Sequence, residues 1–291
     1  MTLKIYADRL SQPARAILIF CKVNGIDFEE IKIELMKRQQ FSPEFKEVNA
    51  MGKVPAIVDG KFKLFERVNG IDFEEIKIEL MKRQQFSPEF KEVNAMGQVP
   101  AIVDGKFKLF ESHAILIYLA CAFPGVADHW YPNDLFKRAK IHSVLDWHHS
   151  NLRFGATKFV QNTILGTALG IPMNPQAAAE AEKLLSASLQ KIESFWLKGN
   201  GRFLLGSNQP SIADLSLVCE IMQLEVLDEK DRIRILGPHK KVQQWIEDTK
   251  LATRPHFDEV HKFLFKIKEH LHKQQSAGAS SDTKPTLQSK M

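Results

Sequence analysis

The stretch VPAIVDGKFKLFE at residues 54–66 decides the fold, and the chain carries the same stretch again at residues 99–111. In each copy two short apolar runs flank an Asp-Gly pair, which is the strongest local signal for a β-hairpin. The repeated segment is longer than the hairpin, since residues 23–66 recur as residues 68–111 with one difference, Lys53 against Gln98. Solenoid units drift in sequence and normally occur at least three times. The near-identity therefore indicates one tandem duplication within one domain.

The residues around the first copy complete an α/β pattern. A short apolar run at residues 3–7 predicts a first strand, and SQP at residues 11–13 predicts the start of an apolar helix that ends near residue 23. Alternating apolar residues at 27–34 predict a second strand, and Ser-Pro at residues 42–43 predicts the start of a short helix. With the hairpin added, the order is strand, helix, strand, helix, strand, strand. The N-terminal part is therefore predicted to be an α/β domain.

The C-terminal part is predicted to be all-α. Residues 177–196 place apolar side chains at helical spacing, with Asn174 as the cap and Pro175 in the first turn. Ser211 and Asp214 have the spacing of a capping box, with Asp in place of Glu. Further amphipathic helices are predicted at residues 242–251 and 257–271.

The composition excludes several classes of protein. With 44% hydrophobic and 26% charged residues, the chain is typical of a globular protein. The formal net charge is +5, but the lysines alternate with glutamates, so we expect no nucleic-acid surface. Its 3 cysteines are far apart in sequence, which favours a reducing intracellular compartment. We expect no signal peptide, no membrane span and, since the adjacent His148 and His149 point in different directions on a helix, no metal site.

Four motifs carry a resemblance to a known family. They are YADRLSQPARA at residues 6–16, VPAIVD at 99–104, FESHAI at 110–115 and NQPSIAD at 208–214. Together they resemble the theta-class glutathione transferases of the plant type, over about residues 1–271.

This resemblance implies a fold, a reaction and a set of partners. It implies an α/β thioredoxin-like N-terminal domain at residues 1–111 that binds glutathione and contains the duplicated segment. An all-α C-terminal domain for the electrophilic substrate follows at residues 112–272. It further implies a homodimer that uses glutathione as co-substrate, with no other cofactor. The implied reaction is attack of the glutathione thiolate on electrophiles in detoxification, with activity on organic hydroperoxides in many members.

The resemblance assigns the catalytic role to Ser11. A thiol has a pKa near ~8.5, so only a small fraction is thiolate at neutral pH unless the anion is stabilised. A hydroxyl just ahead of a helix can stabilise it together with the free N–H groups and the positive end of the helix dipole. The alternative is that Ser11 merely caps the helix.

The resemblance also implies glutathione contacts in the second copy of the repeat. Val99 and Pro100 fit a cis-proline turn whose valine backbone pairs with the peptide, although a trans proline on an edge strand is the alternative. The Ser112 hydroxyl at a helix start suits a carboxylate, and Glu111 suits an ammonium group. Gln98 departs from the family's lysine, which replaces an ionic contact to the glycyl carboxylate with a neutral one. The full set is Gln12, Gln85, Gln98, Val99, Pro100, Glu111 and Ser112, and the alternative first-copy positions are Gln40, Lys53, Val54, Pro55 and Glu66.

Only one copy of the repeat is expected to fit into the sheet. The second copy keeps the complete Glu-Ser motif, because the first copy has Arg67 where the second has Ser112. We therefore expect residues 23–67 to loop out behind the first helix, with a loop-out of residues 67–111 as the alternative. Closing such a loop costs roughly 3 to 4 kcal/mol, and the unpaired strands invite association. The expected result is an enzyme that folds but is poorly soluble.

These residues support two hypotheses of function. The leading hypothesis is a glutathione transferase, possessing in addition a peroxidase activity on organic hydroperoxides. The alternative is a non-catalytic binding or interaction protein of the same fold, impaired by the duplication. A thiol–disulfide oxidoreductase is disfavoured, because residue 11 is serine and the chain has no CxxC pair.

The C-terminus suggests a cellular location. Residues 273–291 lack apolar periodicity and are predicted to form a flexible tail. The tail ends in Ser289-Lys290-Met291, which resembles the peroxisomal tripeptide with Met in place of Leu. We therefore expect the cytoplasm, the peroxisome or both, with the peroxisomal import receptor as a partner in the second case.

Overall fold

The computed structural model describes residues 3–7, 9–32, 39, 42–43, 56–59, 101–104, 107–165 and 172–281. An α/β unit comes first and a helical unit follows, as the sequence predicts. The first unit contains β1 (Leu3–Ala7), α1 (Gln12–Val23), β2 (Phe28–Lys32), β3 (Ala56–Asp59), β4 (Ala101–Asp104) and β5 (Phe107–Phe110). The helix predicted from residue 42 lies outside the described residues except for Ser42 and Pro43.

The described strands form one five-stranded sheet in the order β2-β1-β3-β4-β5. Strand β1 pairs with β2 in parallel and with β3 in antiparallel orientation. Strands β3 and β4, which are the same segment in the two copies, pair in parallel, with Ile57 opposite Ile102 and Val58 opposite Val103. Strands β4 and β5 form the antiparallel hairpin predicted for the second copy. Three of the four residues of β3, residues 57–59, therefore face their own counterparts in the repeat.

The expectation that only one copy fits into the sheet is wrong. The first copy supplies β2 and β3, and the second supplies β4 and β5, so residues 23–67 do not loop out as a unit. The physical reason is that β3, once paired with β1, has a second edge of unpaired N–H and C=O groups. Strand β4 satisfies that edge with the same β-branched residues. The second strand of the hairpin predicted within the first copy, at residues 61–65, lies outside the described residues.

The second unit contains helices and no strand among its described residues, as predicted. Its first helices are α2 (Ser112–Ala122), α3 (Leu135–His148) and α4 (Phe154–Val160), with a π-helical turn at His149–Arg153 between the last two. The others are α5 (Pro175–Lys191), α6 (Ile212–Ile221), α7 (Glu229–Leu236), α8 (Lys240–Ala252) and α9 (His256–Ser281). In the described residues no helix is both long and apolar enough to cross a bilayer.

Helix α1 lies at the centre of the molecule. Residues 13–21 are all buried, because α1 packs on α2, α6 and α9 as well as belonging to the sheet-containing unit. One hydrophobic cluster runs from Leu3 of β1 through α1 to Leu264 of α9. The start of α1 is therefore held by both units.

Two predicted helix starts are confirmed. The Asn174 side chain accepts a hydrogen bond from the Ala177 backbone N–H at 3.1 Å, with Pro175 in the first turn. Ser211 and Asp214 form the predicted capping box at the start of α6. The buried Asp214 carboxylate also accepts hydrogen bonds from Leu204 N and Trp245 Nε1, each at 2.8 Å. The start of α6 is thereby fixed to its neighbours.

The last helix is longer than predicted. Helix α9 continues to Ser281, so residues 273–281 are helical rather than a flexible tail. Residues such as Gln274, Gln275 and Ala277 have good helix propensity, and extending an existing helix needs no new nucleus. Residues 282–291, with the predicted tripeptide, lie outside the described residues.

Candidate functional site

Ser11 is the N-cap residue of α1, directly after the loop that follows β1. Its backbone is extended (φ −74°, ψ 122°), and the residue is 8% exposed. Among the described residues of α1, none donates a capping hydrogen bond from its backbone N–H to the Ser11 side chain, and the first turn holds no acidic residue. Hence the simple alternative, a side-chain cap, does not describe this serine. An anion at this end of the helix meets N–H groups and the positive end of the helix dipole.

Arg15 fixes the loop that leads into Ser11, and sequence reasoning missed this role. Its guanidinium is fully buried and donates from Nη1 to the carbonyl oxygens of Arg9 (2.9 Å) and Leu10 (3.0 Å). From Nη2 it donates to the Cys219 carbonyl (2.7 Å) and to Gln223 Oε1 (3.2 Å). A buried cation with several acceptors is a strong positioning device, since its charge stays compensated only in this geometry. The sequence signal is an arginine close to the start of a mainly apolar helix.

Glu111 and Ser112 lie where β5 turns into α2. Glu111 has a positive φ of 72°, a conformation that costs energy for a residue with a side chain and that often marks a functional turn. Ser112 begins α2 and is 4% exposed. Glu111 lines an open cavity of about 570 Å³ together with His113 and the carboxylate-bearing Asp146 of α3. Two carboxylates on one cavity suit an ammonium group, and sequence reasoning missed Asp146.

A buried polar chain extends from the start of α2 into the helical unit. His113 Nε2 lies 3.1 Å from His148 Nδ1, and His148 Nε2 lies 3.5 Å from Glu220 Oε2. Glu220 is fully buried and also accepts from Arg153 Nη1 and Thr157 Oγ1, each at 3.1 Å. Burial alone raises the pKa of Glu220, but Arg153 and His148 outweigh it and hold the pKa below its ordinary value. Glu220 is therefore a buried carboxylate anion.

A second cavity borders the loop before Ser11. It has a volume of about 430 Å³ and lies between β2 and α9. Its wall contains Phe263, and its charged lining includes Arg9, Glu30 and Glu259. Arg9 donates to both carboxylate oxygens of Glu30, at 2.8 Å and 2.5 Å, so the two charges are paired. The cavity next to the Ser11 loop is thus lined mainly by charged side chains, and Phe263 is the apolar residue among them.

The cysteines do not form an alternative nucleophile at this site. Burial raises the pKa of Cys21 and of Cys219, to about 12 for Cys219, so both thiols are protonated at neutral pH. Cys121 is exposed at the far end of α2. In the described part of the chain no group of three or more His, Cys, Asp and Glu side chains is placed to hold a metal ion.

The structure brings four of the predicted site residues to one edge of the sheet. Strands β1 and β5 run in the same direction, so Ser11 and Gln12 after β1 lie at the same edge as Glu111 and Ser112 after β5. Helices α1 and α2, which begin there, pack on each other. The remaining predicted contacts lie outside the described residues. They are Gln40, Lys53, Val54, Pro55, Glu66, Gln85, Gln98, Val99 and Pro100.

Comparison with known proteins identifies the family. The model of the glutathione S-transferase N-terminal domain matches the chain twice, at residues 1–68 and 67–121. The chain is 60% identical to Arabidopsis thaliana glutathione S-transferase T1 over 100% of both chains. It is 57% identical to glutathione S-transferase T3 of the same plant, and spans 41% of that longer protein. A human theta-class glutathione transferase in complex with the glutathione conjugate of 1-menaphthyl sulfate is 28% identical with a TM-score of 0.68, over 94% of this chain and 92% of that one.

The chain therefore belongs to the theta class of the glutathione S-transferase family. Its fold is the one that the sequence predicts, a thioredoxin-like N-terminal unit followed by a helical unit. The two matches of the domain model correspond to the two copies of the repeat, and the second match includes α2 up to residue 121. That end lies beyond the domain boundary predicted at residue 111.

Proposed function

We propose that this protein transfers glutathione to small electrophiles, and that Ser11 is its catalytic residue. The observation that carries the proposal is the position of Ser11, buried at the N-terminal end of α1 with no acidic residue in the first turn. One charge-assisted hydrogen bond contributes roughly 1.5–3 kcal/mol and the helix end roughly 0.3–1 kcal/mol. Since one pKa unit corresponds to about 1.36 kcal/mol, the pKa of a bound thiol can fall by about one to three units. A fall of more than about 1.5 units from a free value near ~8.5 makes the thiolate the main species at pH 7.

The residues proposed to hold glutathione divide into two ends of one site. Ser11 and Gln12 belong to the thiol end, and Glu111 and Ser112 belong to the γ-glutamyl end, where Asp146 supplies a second carboxylate for the ammonium group. The electrophile is proposed to enter the cavity beside Arg9, because that cavity borders the Ser11 loop and presents the Phe263 ring among its charged lining residues.

Titration of the bound thiol tests this function. The ultraviolet absorbance of the thiolate is followed against pH for glutathione in complex with the protein and for glutathione alone. We expect the bound thiol to have a pKa at least about one unit below the free value near ~8.5. A bound thiol that titrates like the free one refutes the proposed role of α1 and Ser11.

A peroxidase activity is proposed for the same thiolate. Its sulfur attacks one oxygen of an organic hydroperoxide, so the O–O bond breaks, the alcohol leaves after taking up a proton, and glutathione sulfenic acid forms. A second glutathione reduces the sulfenic acid to the disulfide and releases water. Both steps need only glutathione and the hydroperoxide, so the site requires no further oxidant or reductant.

The alternative of a non-catalytic binding protein is favoured by one observation, the extra strand. Strands β3 and β4 both lie between β1 and β5, whereas one copy of the repeat would supply only one strand there. Neighbouring strands are about 4.8 Å apart, so the extra strand increases the distance between the C-terminal ends of β1 and β5 by this amount. A tripeptide that must reach both Ser11 and Ser112 then has a longer span to cover. The two functions are separated by the deletion experiment described in the Discussion.

Two further features of the resemblance are proposed for the intact protein. The chain is proposed to associate as a homodimer, which sedimentation velocity measures directly. It is proposed to enter the peroxisome through Ser289-Lys290-Met291, in addition to residing in the cytoplasm. A fluorescent protein fused to the N-terminus should colocalise with a peroxisomal marker, and removal of the three residues should leave it cytoplasmic. Unchanged peroxisomal signal after the truncation refutes this address.

A further inference from the structure

The last turn of α6 receives polar contacts from both ends of the proposed site. Cys219 and Glu220 are consecutive in this turn and are both fully buried. From α1, Arg15 Nη2 donates to the Cys219 carbonyl oxygen at 2.7 Å. From α2, His113 reaches the Glu220 carboxylate through His148. Two adjacent residues of α6 are thus connected to the first turns of α1 and α2.

The direction of the hydrogen bonds on the α2 side follows from Glu220. An ionised carboxylate only accepts, so His148 directs an Nε2 proton toward it, and the 3.5 Å separation is longer than an ordinary hydrogen bond. His148 Nδ1 is then an acceptor, and His113 donates to it from Nε2 at 3.1 Å. We assign these tautomers from the contacts. His113 is held by a directed hydrogen bond, so its ring has one preferred orientation.

Glu220 is itself held in place by two further side chains. Arg153 and Thr157 each bind one of its carboxylate oxygens, at 3.1 Å. A buried anion compensated by a cation and a hydroxyl is costly to displace, because any movement leaves charge or a polar group without a partner. The carboxylate therefore gives the start of α2 a fixed reference point inside the helical unit.

The start of α2 needs such support. Glu111, its N-cap residue, has a φ of 72° and makes no side-chain capping hydrogen bond within the described residues. Sparsely populated backbone conformations persist only where surrounding contacts impose them. His113 is the second residue of α2, adjacent to Ser112, so its hydrogen bond to His148 constrains the first turn of the helix.

We propose that the last turn of α6 is a common anchor for both ends of the glutathione site, with Arg15, His148 and Glu220 as positioning residues. Arg15 orients the loop that leads into Ser11, and His148 transmits the position of Glu220 to His113 and Ser112. The proposal rests on the proposed function, and it extends that function to residues that touch neither glutathione nor the electrophile.

The two sides of the anchor have different kinetic consequences. The α2 side sets the γ-glutamyl end, which binds ground state and transition state alike, so its loss raises the KM for glutathione with little change in kcat. The α1 side sets the thiolate end, where charge and reactivity develop, so its loss lowers kcat. A role in stability alone predicts neither pattern.

The α2 side is tested by His148→Leu, which removes both contacts, and by His148→Gln, whose amide can accept from His113 and donate to Glu220. We expect His148→Leu to raise the KM for glutathione about tenfold with kcat within about twofold, since small misplacements at a site have large effects. His148→Gln should recover most of the affinity. Conjugation of chlorodinitrobenzene at varied glutathione gives both constants, and calorimetry with glutathione itself gives the affinity without turnover.

A matched control is the His239–Glu193 pair at the start of α8. His239 is 7% exposed and its Nδ1 lies 3.1 Å from Glu193 Oε2, so His239→Leu removes a buried His–Glu contact outside the proposed site. We expect a lower melting temperature for this control with an unchanged KM. If His148→Leu does not fold, Thr157→Val keeps the charge pair of Glu220 with Arg153 and should raise the KM in the same direction, about threefold.

The α1 side is tested by Arg15→Lys, which keeps the charge but loses the forked geometry. We expect kcat to fall about tenfold and the pKa of the bound thiol to rise, with the KM within about twofold. An unchanged KM in His148→Leu, failure of His148→Gln to rescue, or an equal KM change in His239→Leu overturns the proposal. If the unmodified protein binds glutathione without turning it over, the proposed transferase function is wrong. The calorimetric affinities of the His148 and His239 variants then still show whether His148 positions the glutathione contacts of α2.

Discussion

Replacement of Ser11 by alanine is expected to lower kcat/KM for glutathione conjugation roughly ten- to a hundredfold. The substitution removes one charge-assisted hydrogen bond to the thiolate, worth roughly 1.5–3 kcal/mol, while the N–H groups at the start of α1 remain. The pKa of the bound thiol should rise by about one to two units for the same reason. Calorimetric affinity for glutathione should change little, because the γ-glutamyl end is untouched. Steady-state kinetics with chlorodinitrobenzene and the thiolate titration measure the two effects.

Two other buried serines serve as controls for Ser11→Ala. Ser188 lies in α5 and donates to the Leu184 carbonyl oxygen, so Ser188→Ala should leave kcat/KM unchanged. Ser112→Ala should mainly raise the KM for glutathione, because that hydroxyl is proposed to bind a carboxylate rather than the sulfur. If Ser11→Ala retains full activity, or if Ser188→Ala loses as much, Ser11 is not the catalytic residue.

The peroxidase activity should follow the same dependence on Ser11. Both reactions use one thiolate, so the rate with cumene hydroperoxide should fall by a factor similar to that for conjugation. Reduction of the glutathione disulfide by glutathione reductase, coupled to NADPH oxidation, measures it. A peroxidase rate that survives in Ser11→Ala would place that activity elsewhere in the molecule.

The parts of the fold that follow from local chemistry were predictable. The Ser-Gln-Pro start of α1, the Asn174 cap and the Ser211–Asp214 box each depend on residues a few positions apart, and each is confirmed. The hairpin of β4 and β5 follows equally from Asp-Gly between two apolar runs. Ser11 could be singled out because its motif is continuous in sequence.

The parts that depend on long-range contacts were not predictable from one sequence. Whether β3 pairs with a neighbouring hairpin strand or with its own duplicate depends on which edges are free in the assembled sheet, and the local signal is the same for both. The anchor of α6 joins Arg15 to Cys219 and His113 to His148 across large separations in sequence. In the sequence His148 is one of two adjacent histidines that point in different directions on a helix, and only the packing of α2 and α3 against α6 shows that it is buried.

Deletion of one copy of the repeat is expected to strengthen glutathione binding and to raise the soluble yield. Any 45-residue deletion that starts between residues 23 and 67 yields one of two proteins, which differ only in Gln98 or Lys53 at the shared position. Deletion of residues 23–67 keeps Gln98, and deletion of residues 60–104 keeps Lys53. Each product has one strand between β1 and β5, so the C-terminal ends of these two strands lie about 4.8 Å closer together. We expect the KM for glutathione to fall by at least about tenfold and the soluble yield to rise.

The two deletions control for each other and separate the two proposed functions. The product with Lys53 should bind glutathione more tightly than the product with Gln98, because an ionic contact to the glycyl carboxylate replaces a neutral one. If the full chain is inactive and both deletions are active, the duplication has made this protein a non-catalytic binder. If the full chain and both deletions share one KM, the extra strand does not separate the two ends of the site. In that case the contacts of α1 and α2 with the last turn of α6 set the distance between Ser11 and Ser112, independently of the width of the sheet.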